Sequence, residues 1–291
     1  DLDTHPAGWL LARRLGARLV FDAIENYPAL MSLYLSKSLV WALTALERIL
    51  IRSADLVLTA STLLAERYQS WGLPLVTPIP NVAELEPFDA ILPEQAAEYR
   101  HQLGIPGNHL CVTYIGGFSR NRLLIPLIEA VSNMDGVTAL LWGGGHQRQA
   151  VELAISKGRN ARYLGWLPAE KVPLATSMAD VSYYCLAPAY PGAVYNAPNN
   201  LSFAMAAGRP ILANNLGDLG RIIIEEGCGI ALDEVTPQTL RDALEALREP
   251  TYRARLGAAG RRAAERRYNW AIAGARFLEA YKRLLPPDQV Q

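Results

Sequence analysis

Three stretches of the sequence carry groups able to hold or move charge. In Tyr114-Ile115-Gly116-Gly117-Phe118-Ser119-Arg120-Asn121-Arg122, two adjacent glycines and two arginines follow a β-branched and aromatic run. Lacking Cβ atoms, the glycines let a ligand approach the main chain closely. Their N–H groups can face phosphate, and Arg120 or Arg122 can pair with it. A tight turn with surface arginines accounts for the same residues equally well. The second stretch is Trp142-Gly143-Gly144-Gly145-His146, again between strand-like and helix-like segments. It is not a G-x-G-x-x-G, and no G-x-x-x-x-G-K-[ST] occurs, so a nucleoside-triphosphate P-loop is disfavoured and a nicotinamide enzyme has weak support. His146 reads as an exposed helix-start residue rather than a catalyst.

The third stretch runs from Asn196 through Ala197-Pro198-Asn199-Asn200 to Gly208-Arg209-Pro210. Asn196 and Pro198 mark the start of a short helix, and Gly208 and Pro210 mark its end. Its positive end lies at Pro198–Asn200. The asparagine pair reads as capping or as ligand contact. Phe203 shares a face with both asparagines, while Leu201 and Met205 form the core-facing stripe. Tyr190–Tyr195 reads as a loop at a cleft rim. Asp1-Leu2-Asp3 spells a D-x-D, a pair able to hold Mg²⁺ or Mn²⁺, but three residues at the start of the chain do not establish a metal site. His5, His101 and His109 show no ligand spacing. The absence of G-x-S-x-G and H-E-x-x-H leaves hydrolase triads and zincins without support.

These stretches sit on a regular frame. Strand candidates at Cys111–Ile115, Thr138–Trp142, Ala161–Leu164, Val181–Leu186, Pro210–Ala213 and Gly229–Leu232 alternate with helix candidates near Ile125–Asn133, Gln147–Lys157, Ala169–Met178, Asn199–Ala207 and Leu219–Glu226. That alternation predicts a parallel, doubly wound Rossmann-like sheet with helices on both faces. The first ninety residues predict a smaller version, with strands at Arg18–Phe21, Asp55–Thr59 and Leu75–Ile79 and helices at Gly8–Leu15, Ala29–Arg52 and Ser61–Trp71. Three strands make a thin sheet, so the expectation is that opening strands are missing. Pro80–Pro93 reads as a linker. After Thr236 the chain reads as helical to Leu285.

Composition narrows the function classes. The 291 residues suit two domains, and 51% apolar with 19% charged residues suits a compact protein. Lys+Arg and Asp+Glu are both 28, so binding nucleic acid by bulk positive charge is disfavoured. Three scattered cysteines without a C-x-x-C argue against disulfides and a thiolate zinc site and fit a reducing cytoplasm. No apolar run reaches the length of a membrane span. Residues 251–285 carry nine Lys/Arg against two Glu. That run reads as a solvated helix face, with contact to an anionic membrane surface or an anionic substrate as the alternative.

The order of these segments resembles retaining glycosyltransferases of the GT-B fold, the large group called family 4. The likeness is carried by Ala54-Asp55-Leu56-Val57-Leu58-Thr59-Ala60-Ser61, Pro78-Ile79-Pro80-Asn81-Val82, Tyr114-Ile115-Gly116-Gly117, Leu141-Trp142-Gly143-Gly144-Gly145, Tyr163-Leu164-Gly165-Trp166 and Ala197-Pro198-Asn199-Asn200 through Gly208-Arg209-Pro210. It implies an α/β protein of two Rossmann-like domains with a cleft between them, the N-terminal one incomplete. The expected boundaries are 1–92 for the partial acceptor-side domain, 93–266 for the nucleotide-sugar domain and 267–285 for a helix crossing back. It further implies a nucleotide-sugar co-substrate and no metal or other cofactor. The acceptor would be a saccharide, a lipid-linked or a small-molecule hydroxyl, met in the cytoplasm or at the inner face of the membrane. By position, Gly116, Gly117 and Gly144 would lie at the donor, with Arg120 or Arg122 as the diphosphate cation. Trp166, Leu167 and Pro168 would lie near the nucleobase, and Tyr195, Pro198, Asn199 and Asn200 near phosphate and sugar. Three departures stand out. The family's Lys is Asn200 here, and the two glutamates of its E-x7-E pattern are Tyr195 and Phe203. An Asp-x-His-Glu segment reads Asp22-Ala23-Ile24-Glu25. A non-catalytic homologue acting as a binding or scaffold partner is therefore the rival reading.

Overall fold

The computed structural model describes residues 2–285, so the Asp1-Leu2-Asp3 motif lies partly outside the described residues. The chain forms two compact units. The first takes residues up to 81, residues 188–197 and residues from 270 onward; the second takes 82–187 and 198–269.

In the first unit, strands β1 (Val20–Ala23), β2 (Leu56–Thr59) and β3 (Val76–Pro78) pair in parallel in the order β1-β2-β3. Helices α1 (His5–Leu15), α2 (Tyr27–Met31), α3 (Lys37–Leu50) and α4 (Thr62–Ser70) join them. The single helix predicted over Ala29–Arg52 is thus two. Asn26 caps α2 by accepting from the Ala29 N–H at 3.1 Å, and the Ser32 hydroxyl donates to the Ala29 carbonyl at 2.6 Å. Ser36 is extended (φ −65°, ψ 156°) and starts α3 afresh. Central strand β2 is buried along its length, as expected of a parallel strand covered on both faces. One face packs on Phe21, Leu64 and Tyr68; the other packs on Phe277 and Ala280 of the last helix, Trp270–Lys282.

Glu47 of α3 is fully buried in this unit. The Tyr68 hydroxyl donates to its Oε1 at 2.9 Å, while Oε2 has no partner. Burial pushes its carboxyl from an ordinary 4.5 up to about 7, against the opposing pull of the Tyr68 hydrogen bond and the Arg67 charge. The folded protein therefore holds a proton there that the unfolded chain gives up near pH 4.5. Stability from this group falls as pH rises through 4.5 to 7. Glu47→Gln is expected to leave stability unchanged near pH 4 and to raise it at pH 8 by on the order of 2–3 kcal/mol. Urea unfolding of both proteins across that range checks this, and parallel pH profiles would refute it.

The second unit holds β4 (Leu110–Ile115), β5 (Val137–Trp142), β6 (Ala161–Tyr163), β7 (Val181–Tyr184), β8 (Ile211–Asn214) and β9 (Gly229–Leu232), all parallel in the order β6-β5-β4-β7-β8-β9. Each predicted strand is present within two residues at either end. Helices α5 (Glu86–Asp89), α6 (Pro93–Gln102), α7 (Leu124–Val131), α8 (Arg148–Ser156), α9 (Val172–Ser177), α10 (Asn199–Ala206), α11 (Gly217–Glu226), α12 (Pro237–Ala246) and α13 (Pro250–Arg266) surround it. Pro80–Pro93 is not a free linker. It contains α5, whose Phe88 is buried beside Ala83 and Ala206 and meets the Phe203 ring at 5.9 Å. The three cysteines are buried and free.

Candidate functional site

Strand order in the second unit turns back between β4 and β7. In doubly wound sheets ligands bind beyond the carboxyl ends of the strands at that point. The glycine-arginine loop follows β4, and Cys185–Ala187 follows β7. The two are stitched together: the Leu123 N–H donates to the Cys185 carbonyl at 3.1 Å, the Ala187 N–H donates to the Asn121 carbonyl at 2.9 Å, and Arg122 bridges antiparallel to Leu186. Asn214, at the end of β8, clamps the same spot. Its Oδ1 accepts from the Leu186 N–H at 3.0 Å and its Nδ2 donates to the Leu186 carbonyl at 2.9 Å. Sequence reasoning passed over Asn121 and Asn214; a polar residue closing the apolar run Ile211-Leu212-Ala213 was the available signal.

The two glycine loops are laced to each other. Gly116 N–H donates to the Trp142 carbonyl at 3.0 Å, Phe118 N–H to the Gly144 carbonyl at 2.7 Å and Gln147 N–H to the Phe118 carbonyl at 2.8 Å. Gly143 has φ +137°, and a Cβ there would sit 1.8 Å from the Gly116 carbonyl oxygen. Only glycine permits that approach. A Cβ on Gly117 or Gly144 would meet no atom within 4 Å, so both border open space.

Arg122 separates itself from Arg120. Arg120 is exposed. The Arg122 guanidinium lies over the Tyr184 ring at 4.8 Å, and its Nε and Nη1 are buried without a hydrogen-bond partner. Tyr184 stacks on Tyr114 at 6.3 Å, and the Tyr114 hydroxyl donates to the Gly117 carbonyl at 2.7 Å. Burial pushes the Tyr114 phenol up to about 12, against the opposing charge and side-chain hydrogen bond of Arg122. Leaving buried charged donors unpaired costs about 1–3 kcal/mol or more; an oxyanion in this place removes that cost.

Pro198 is the N-cap of α10, and no side chain caps the helix. The Asn199 and Asn200 amides therefore lack intrahelical acceptors. Asn200 Nδ2 donates to the Ile115 carbonyl at 2.9 Å and holds this helix start against the end of β4. Asn200 thus acts first as a positioning group. Phe203, where the resembled family has Glu, packs on Phe88.

The structure thus brings Gly116, Gly117, Arg122, Gly144, Pro198, Asn199 and Asn200 to one end of one sheet. Trp166 lies past β6 and is 80% exposed, whereas the Leu167 side chain is buried with Leu140, Trp142 and Met178. Tyr195 belongs to the first unit. It packs on the cluster of Phe21, Leu64 and Tyr68, and its hydroxyl accepts from Arg67 Nη1 at 3.3 Å.

Residues 110–249 match the model of the glycosyl transferases group 1 family. A D-inositol 3-phosphate glycosyltransferase of Xylanimonas cellulosilytica is 28% identical over 70% of this chain and 50% of its own length. A phosphatidyl-myo-inositol mannosyltransferase of Mycobacterium leprae is 30% identical over 62% and 48%. The chain thus spans about half the length of these relatives. Among solved structures, sucrose-phosphate synthase of Thermosynechococcus elongatus superposes with a TM-score of 0.78 at 19% identity, over 97% of this chain and 72% of that one. HepE of Anabaena, solved with UDP-glucose, gives 0.79 at 18% identity over 98% and 76%. With a 3-2-1-4-5-6 parallel sheet and glycine loops at its switch point, the chain has the GT-B fold of two Rossmann-like units, and its residues 110–249 are similar to the glycosyl transferases group 1.

Proposed function

We propose that the second unit holds the diphosphate of a nucleotide-activated sugar and that the protein transfers the sugar to a hydroxyl acceptor. The observation that carries this reading is the buried Arg122 guanidinium, unpaired at Nε and Nη1, beside the Gly116-Gly117 backbone. Transfer proceeds with retention. The acceptor oxygen attacks the anomeric carbon on the face from which the nucleoside diphosphate departs; the bond to the phosphate oxygen breaks, the new glycosidic bond forms, and the acceptor proton passes to the leaving phosphate. The protein's contribution is preorganised stabilisation of that phosphate by Arg122, the glycine backbone and the α10 helix start. No metal ion is required, because these groups supply the positive charge. The acceptor is a saccharide, a lipid-linked or a small-molecule alcohol, and the protein works in the cytoplasm, in peripheral contact with the membrane's inner face. The relatives named for inositol phosphate and phosphatidylinositol support an acceptor of that kind.

The test is calorimetric titration with UDP and GDP, followed by incubation with UDP-glucose and GDP-mannose and measurement of released nucleoside diphosphate. Binding with release upon acceptor addition is expected. No binding of either nucleotide removes the donor site. Binding without turnover favours the second reading, a non-catalytic GT-B homologue, which the Phe203–Phe88 packing and the engaged Asn200 side chain support.

A further inference from the structure

Helix α3 leaves Leu39, Leu46 and Ile49 exposed and turns Val40, Leu43 and Glu47 inward. A carboxyl among apolar side chains is costly when it is charged and unpaired. Tyr68 serves only Oε1 of Glu47, and Oε2 is left idle. Arg67, one residue before Tyr68 on α4, is idle in the complementary sense, because its Nε is buried and donates to nothing. A buried acceptor and a buried cationic donor, close enough for the charge of one to act on the other, thus stand unpaired in one cluster.

Arg67 is engaged elsewhere. Its Nη1 donates to the Tyr195 hydroxyl at 3.3 Å, and its guanidinium lies 4.9 Å from the centre of the Trp71 ring and 5.7 Å from that of Tyr195. Tyr195 closes the 3-10 turn Pro191–Tyr195, inside the 188–197 excursion. Two residues on, the Ala197 carbonyl accepts from Asn81 Nδ2 at 2.9 Å, and Pro198 then opens α10. Arg67 and Asn81 together fix the end of the excursion just before the helix start that the proposed donor site uses.

The other ionisable groups around the end of α3 are committed. Arg48 is exposed, 6.0 Å from the Trp71 ring centre, and Arg52 donates to the Arg48 and Trp71 carbonyls, both at 3.3 Å. His5 Nε2 lies 2.8 Å from the Leu50 carbonyl oxygen and 2.9 Å from Ser53 Oγ, and burial holds its imidazole below the usual range. Helix α2, packed on α3, brings the Tyr27 phenol and no acidic or basic side chain. A Glu47 carboxylate must therefore recruit Arg67. An ion pair in a buried, low-dielectric place outcompetes a 3.3 Å bond to a neutral hydroxyl.

We propose that Glu47 and Arg67 form a proton-operated latch on the 188–197 segment. With the carboxyl protonated, Arg67 holds Tyr195; with the proton lost to solvent, Arg67 turns to Oε2 and lets the segment go. The Glu47 carboxyl, pushed up to about 7, sets the latch to work around neutral pH. Release leaves the start of α10 less firmly placed, so diphosphate affinity falls as pH rises. This last consequence rests on the proposed donor site; the latch itself does not. Glu47 and Arg67 are positioning residues, acting through Tyr195.

Hydrogen–deuterium exchange of the full chain, without nucleotide, is followed from about pH 5.5 to pH 8.5 in the wild type and in Glu47→Gln, a permanent stand-in for the neutral acid. Comparing the two at each pH cancels the intrinsic exchange rate. The peptide spanning 188–197 should exchange alike in both at the acid end and at least about fivefold faster in the wild type at pH 8. Tyr195→Phe keeps the ring but loses the hydroxyl, so its segment should exchange fast throughout, with no step near neutral pH. Uridine diphosphate titration of wild type and Glu47→Gln reads the consequence: their affinity ratio should change at least about threefold between pH 6 and pH 8. The latch is overturned if the two proteins exchange alike at every pH, or if the step persists in Glu47→Gln. It is also overturned if peptides of β2 show the same step, which marks general loosening of the unit. A step confined to 188–197 with no nucleotide binding by either protein upholds the latch and removes the donor site.

Discussion

Arg122→Ala is expected to weaken nucleoside diphosphate binding by about a hundredfold or more. Two hydrogen bonds from a charged donor contribute about 1.5–3 kcal/mol each, and 1.4 kcal/mol is tenfold in affinity. Stability should move in the opposite sense from that of a structural arginine. The guanidinium has no protein partner at Nε or Nη1, so its removal relieves two unpaired buried donors and forfeits the contact with the Tyr184 ring, worth about 1 kcal/mol, together with its interaction with the Tyr114 hydroxyl. Arg122→Lys keeps the charge but loses the planar fork and the ring stacking, so it should fall between the two. Arg120→Ala, at an exposed site, should change affinity less than threefold, roughly the contribution of a screened surface charge. Calorimetry on the four proteins, with urea unfolding beside it, checks the set. Equal affinity of wild type and Arg122→Ala would show that this cation serves something other than a phosphate.

Gly143→Val should damage the same site by a different route. Its Cβ would overlap the Gly116 carbonyl oxygen, and φ of +137° is a conformation L side chains rarely adopt. The two loops must move apart, which breaks the bonds from Gly116 N–H to Trp142 and from Phe118 N–H to Gly144. A loss of about 3 kcal/mol or more is expected, in the range reserved for core overlap combined with backbone strain. Gly117→Ala is the informative contrast, because its Cβ enters open space. That variant should keep its unfolding midpoint while losing nucleotide affinity, if the ligand approaches the main chain there. A Gly117→Ala protein that binds normally would move the diphosphate away from the glycine pair.

The second unit was legible because parallel strands covered on both faces read as short unbroken apolar runs. Cys111–Ile115 and Thr138–Trp142 could hardly be anything else. The first unit was harder for a reason that its surface explains. Apolar residues line both sides of α3, so nothing in their periodicity marks the break that Ser32 and Ser36 impose. The composition of Pro80–Pro93 hid Phe88, whose burial depends on Phe203, more than a hundred residues on. The chain also could not say which arginine mattered. Arg120 and Arg122 differ only once the strand-like bridge to Leu186 directs one of them over Tyr184. Tyr195, three residues from Pro198, seemed bound to share its surroundings; the excursion of 188–197 into the first unit is a property of topology, not of local sequence.

That excursion, together with the last helix, bears on how the protein is made. The unit translated first is the one finished last. Its central strand is in place by residue 59, yet Leu56 and Leu58 wait for Phe277 and Ala280 to emerge before one flank is covered. During synthesis the nascent chain therefore carries an uncovered sheet face while the later unit is already able to close around its own strands, and that interval is where chaperone capture of the ribosome-bound chain should concentrate.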